Sequence, residues 1–81
     1  SMINTAEMQN LMKRCGYTPG EMAIELSTRD RRISEREIRD IVTGRCIPSW
    51  EHLVQIANML GVRPLQLIKS ERRNHDGEND K

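Results

Sequence analysis

One pattern occurs three times in the first half of the chain. A capping residue is followed three positions later by glutamate, and an apolar residue flanks the pair on each side. It reads Asn4-Thr5-Ala6-Glu7 between Ile3 and Met8, Thr18-Pro19-Gly20-Glu21 between Tyr17 and Met22, and Ser34-Glu35-Arg36-Glu37 between Ile33 and Ile38. The cap side chain accepts from a first-turn amide, the glutamate reaches back to the cap amide, and the apolar pair staples the entry. A chain that starts helices this often must build them short. Val, Ile and Thr form no alternating runs, so a sheet is not expected. The fold class is all-α.

Apolar spacing fills in the helices. Met8, Leu11, Met12 and Cys15 make one stripe, and Gly16 suits a stop, which predicts a first helix over about 5–15. The second starts near Pro19, since proline suits the first helical position, and turns Met22, Ala23 and Leu26 inward. No glycine follows Leu26, so its end stays open. The third, about 35–43, buries Ile38, Ile41 and Val42 and stops at Gly44; its other face, Glu35, Arg36, Arg39, Asp40 and Thr43, is polar. Ser49 caps a fourth over about 50–60, with Glu51 in its first turn, where the helix dipole favours a carboxylate. Its wide apolar face is Trp50, Leu53, Val54, Ile56, Ala57 and Leu60, and Trp50 is read there as packing. Pro64 opens a fifth helix, about 64–69, with Leu67 and one of Leu65 or Ile68 buried. One domain spans 3–69. From Ser70 the chain reads SERRNHDGENDK, with no apolar residue, and residues 70–81 are expected to be a disordered polar tail.

With 81 residues the chain holds one domain and a small core. Its net charge is +1, from 13 basic and 12 acidic residues, which points neither toward nor away from nucleic acid. The distribution says more. Residues 29–45 hold Arg29, Arg31, Arg32, Arg36, Arg39 and Arg45 against Asp30, Glu35, Glu37 and Asp40. Between Lys13 and Lys69 every basic residue is arginine, whose planar fork suits phosphates and guanine edges. Cys15 and Cys46 form no CxxC, which fits a reducing cytosol. No stretch is apolar enough to span a membrane and no signal peptide is visible. Cys46 and His52 are two ligands without a closed set, so neither metal nor cofactor is expected. No Ser-His-Asp, Cys-His or paired-carboxylate arrangement can be argued, and an enzyme is not expected.

The segment GRCIPSWEHLVQIANMLGVRPLQLI resembles the stretch after the recognition helix of Cro- and Xre-type repressors. Gly44, Pro48, Ser49, Leu53, Ala57, Leu60, Gly61, Val62 and Leu67 fall at that family's spacing. Upstream, Gly16-Tyr17-Thr18, Glu21-Met22-Ala23 and Ile33-Ser34 with Ile38 match too, so the likeness covers roughly residues 5–69. It implies a lambda-repressor-like helix-turn-helix domain. Three features depart from the family. An arginine on the first helix and its glutamate partner on the third are replaced by Met12 and Val42. A buried ion pair exchanged whole for apolar groups is often neutral or stabilising, so these two side chains are expected to meet. Pro19 stands where a DNA-holding glutamine is common. The turn between helices 2 and 3 is about five residues longer than usual: either helix 2 runs on by one turn, or a loop bulges out beside helix 3.

The resemblance implies that helix 3 enters the major groove, with Ser34, Glu35, Arg36, Arg39 and Asp40 toward base edges. Arg36 suits guanine O6 and N7; Glu35 or Asp40 could accept from cytosine N4. The alternative is a solvated face laced by pairs such as Glu35–Arg39 at i, i+4. Thr18, Arg45 and Ser49 are expected to meet the DNA backbone, joined by Arg29, Arg31 and Arg32 of the long turn. A domain this small covers one half-site, so a homodimer is expected, through Leu65, Leu67 and Ile68, with Trp50 if exposed. The expected function is a sequence-specific regulator that binds double-stranded DNA, a repressor on an inverted-repeat operator, cytoplasmic and nucleoid-associated. The likeness implies a bacterial, plasmid or phage source. The rival is a protein-interaction module on the same fold: an adaptor, an antirepressor or an antitoxin.

Overall fold

The structure, a computed structural model, describes residues 2–29 and 31–69. The expected tail, 70–81, lies outside the described residues, as does Asp30. Four α-helices run in order: α1 (Thr5–Cys15), α2 (Pro19–Leu26), α3 (Glu35–Val42) and α4 (Trp50–Leu60). The expected fifth helix is instead a single 3₁₀ turn, Pro64–Leu67. The reason lies beyond its end. Ile68 leaves the turn in extended conformation and pairs antiparallel with Ile3, with Asn4 N–H donating to Leu67 O at 2.8 Å and Lys69 N–H to Met2 O at 2.8 Å. The two ends of the domain are thereby tied together.

Two of the three capping boxes close reciprocally. Thr18 Oγ1 accepts from Glu21 N–H at 3.2 Å while Glu21 Oε1 accepts from Thr18 N–H at 2.9 Å; Ser34 and Glu37 repeat this at 3.1 and 2.9 Å. The first box is half made. Asn4 Oδ1 accepts from Glu7 N–H at 3.1 Å, but the Glu7 carboxylate accepts from Gln66 Nε2 at 3.1 Å, joining α1 to the 3₁₀ turn. Gly16 and Gly61 end α1 and α4 in the left-handed region, where a residue without Cβ is least strained.

The core takes Met8, Leu11 and Met12 from α1, Met22, Ala23 and Leu26 from α2, Ile38, Ile41 and Val42 from α3, and Leu53, Ile56, Ala57 and Leu60 from α4. Ile3, Ile33 and Leu67 complete it from outside the α-helices. Met12 and Val42 are both buried in this one cluster, and Gln9 Nε2 donates to Val42 O at 2.7 Å, so α1 caps the end of α3. Two sequence expectations fail at helix ends. Cys15 is exposed rather than the last member of the α1 stripe, and Trp50, at the first position of α4, is 60% exposed. At either end of a helix the stripe runs past the neighbour it packs on.

The long turn is a loop, not an extension of α2. Ser27 adopts an extended conformation and ends the helix. Its Oγ accepts from Ile33 N–H at 2.9 Å and donates to Ile33 O at 3.1 Å, which pinches the loop at its base. One step outward, Thr28 N–H donates to Arg31 O at 2.7 Å and Thr28 Oγ1 accepts from Arg31 N–H at 3.1 Å.

Candidate nucleic-acid interface

Helix α3 turns one face inward through Ile38, Ile41 and Val42, so its 100° steps send Arg36, Arg39 and Thr43 outward. Ser34, Glu35, Arg36 and Arg39 are exposed and Asp40 is half-buried. Ser34 Oγ is engaged in the cap. Glu35 and Arg39 form an ion pair one turn apart, and Arg45 Nη1 lies 3.8 Å from Asp40 Oδ1. Arg36 has no acidic partner among the described residues.

Neighbouring elements meet α3 at both ends. A Cβ added to Gly20 would come within 3.3 Å of Glu35 Oε1, so the first turn of α2 lies against the first turn of α3. Thr18, the cap of α2, is exposed beside it. At the other end Asp40 O accepts from Arg45 N–H at 2.8 Å and Cys46 N–H at 3.1 Å, which folds the segment after Gly44 back over the helix terminus. Ser49 caps α4 by accepting from His52 N–H at 3.2 Å and is exposed.

The three arginines of the loop separate. Arg31 Nη1 pairs with Glu51 Oε1 at 3.0 Å, strapping the loop to the first turn of α4. Both side chains are well exposed, so the pair contributes at most about 1 kcal/mol. Arg29 and Arg32 have no acidic partner among the described residues. They line an open cleft of about 610 Å³ with Ala23, Ile24, Ile33, the α3 cap Ser34 and Glu37 of its first turn.

The expected dimer residues divide as well. Leu67 has no exposed surface; it fills the core under the 3₁₀ turn and cannot meet a second chain. Leu65 is exposed and Ile68 half-buried. Sequence reasoning missed Met2 and Ile47, which lie with Trp50 and Ile68 around a cleft of about 130 Å³ that carries no charged side chain. Ile47 gave a signal: it is an apolar residue in a loop, outside any helical stripe.

Among the described residues no three His, Cys, Asp or Glu side chains come together to hold a metal ion, and no helix is long and apolar enough to cross a membrane. No protein-family model, no curated protein and no solved structure matches the chain.

Proposed function

We propose that the protein is a sequence-specific regulator that binds double-stranded DNA in the manner of Cro- and Xre-type repressors. In this reading α3 lies in the major groove with its first turn at the base edges. The observation that carries it is Arg36: exposed, in that first turn, its fork unclaimed by any described acid. Such a guanidinium can take guanine O6 and N7 together, a contact of about 1–3 kcal/mol in discrimination. Glu35, Arg39 and Asp40 set the context on either side, and Thr18, Arg45 and Ser49 supply backbone contacts from the flanking elements. Two copies pair through the uncharged surface of Met2, Ile47, Trp50 and Ile68 and occupy an inverted repeat.

A second reading has its own support. The Glu35–Arg39 and Asp40–Arg45 pairs neutralise much of the α3 face, as suits a protein-interaction module such as an adaptor, antirepressor or antitoxin. Selection from random duplex DNA at near-physiological salt separates the two. DNA binding predicts an enriched inverted repeat with half-sites about one helical turn apart, and Arg36→Ala relaxing preference at one base pair by about 1–3 kcal/mol. No enrichment, with binding no tighter than the non-specific range of about 10⁻⁴–10⁻⁶ M, selects the interaction module.

A further inference from the structure

We propose that the loop between α2 and α3 is a two-arginine phosphate clamp: Arg29 and Arg32 grip the DNA backbone beside α3, while Arg31 is a strap that makes no DNA contact. The inference rests on the DNA-binding reading above and divides the loop's arginines by role.

The base of the loop is shaped before any ligand arrives. Ser27 closes its base on Ile33, Thr28 closes the next step on Arg31, and Ile33 is buried in the core. Arg31 then ties the outer part to Glu51 of α4. Residues held in this way, Ser27, Thr28, Arg31 and Ile33, lose little conformational freedom when their neighbours' side chains meet a partner.

The pairing pattern assigns the roles. Arg31 is paired with Glu51, whereas Arg29 and Arg32 have no acidic partner among the described residues. Both line the cleft whose far wall is the first turn of α3, so whatever they hold sits beside whatever α3 reads. The one acid in that lining among the described residues, Glu37, is turned into the cap, accepting from Ser34 N–H at 2.9 Å. The scale fits. The major groove is about 12 Å wide, which puts its phosphate walls roughly 6 Å from the axis of a helix lying in it. Arg32 precedes Ser34 by two residues, about 7 Å of extended chain. An arginine side chain starting there is long enough to reach from the first turn of α3 to a groove wall at that distance. An acidic peptide would also suit two guanidiniums, but it would have to share the edge of α3 with the DNA.

The test measures affinity for a mixed-sequence duplex of about two helical turns, from 50 to 200 mM salt. Wild type, Arg29→Ala/Arg32→Ala, Arg29→Lys/Arg32→Lys and Arg31→Ala are compared, with thermal melts showing that each is folded. The double alanine variant is expected to bind more weakly, with a slope of log K against log salt smaller by about 1.8, or about 0.9 for each phosphate lost. The lysine variant restores the slope, because charge and not shape carries this contact, and Arg31→Ala leaves it unchanged. An unaltered slope in the double alanine variant overturns the clamp alone, with DNA binding intact. So does a slope lost equally in Arg31→Ala, or DNA binding intact while binding of a poly-glutamate probe is lost. A wild-type protein that binds no duplex overturns the functional reading, and the clamp falls with it.

Discussion

The chain leaves α1 and α2 by different means. After α1 the turn is residues 16–18, and its geometry is local: Gly16 takes φ 78°, its N–H donates to Lys13 O at 3.2 Å, and Tyr17 N–H donates to Met12 O at 2.9 Å. After α2 the connection is residues 27–34 and has no glycine. Its closure is made across six residues by the Ser27 hydroxyl on Ile33, and held down by the burial of Ile33. A glycine turn is closed by one residue's conformation and is too short to present more than the cap of the next helix, here the exposed Thr18. A hydroxyl-closed loop is constrained at its base and at a few points beyond, Thr28 on Arg31 and Arg31 on Glu51, so the remaining residues can be chosen for what they offer outward. Here those residues include Arg29 and Arg32.

The sharpest way to break this contrast is Ile33→Ala. Ile33 is both the loop's anchor and a core residue, so the substitution is expected to destabilise the domain by about 2–5 kcal/mol in urea denaturation. A cost under about 1 kcal/mol would mean the hydroxyls alone hold the loop. Ser27→Ala removes two hydrogen bonds at a half-buried site, for about 2 kcal/mol at roughly 1 kcal/mol each. Hydrogen exchange should speed at the Ile33 amide and stay unchanged at Tyr17, if the two closures are independent. Gly16→Ala places a Cβ in the left-handed region with open space around it, so only backbone strain is felt. It should cost about 1–2 kcal/mol and leave the Ile33 amide protected as before. Loss of that protection would couple the two turns and blunt the comparison.

Most of the helical layout was legible because its signals are local. Caps, glutamates and staples act within one turn, so Thr18, Ser34 and Ser49 could be placed as caps from their neighbours alone, and each accepts the amide its position requires. The candidate site was less legible. The reach of Arg31 to Glu51 crosses twenty positions, and that of Glu7 to Gln66 crosses fifty-nine. No spacing rule covers either. The i, i+4 pair Glu35–Arg39 was foreseeable because it lies within one helix.

By itself the sequence determined an all-helical chain, where its helices begin, which glycines end two of them, and which face of α3 is polar. These follow from periodicity and from hydrogen bonds a few residues apart. Only the tertiary structure decided that the fifth element is a 3₁₀ turn drawn into a bridge with Ile3, that Leu67 is core while Trp50 is surface, and that one loop arginine is strapped to α4 while two have no acidic partner among the described residues. Each of those depends on which distant segment arrives alongside. Burial and the Arg31–Glu51 pairing belong to the packed neighbours, which no short-range spacing rule specifies.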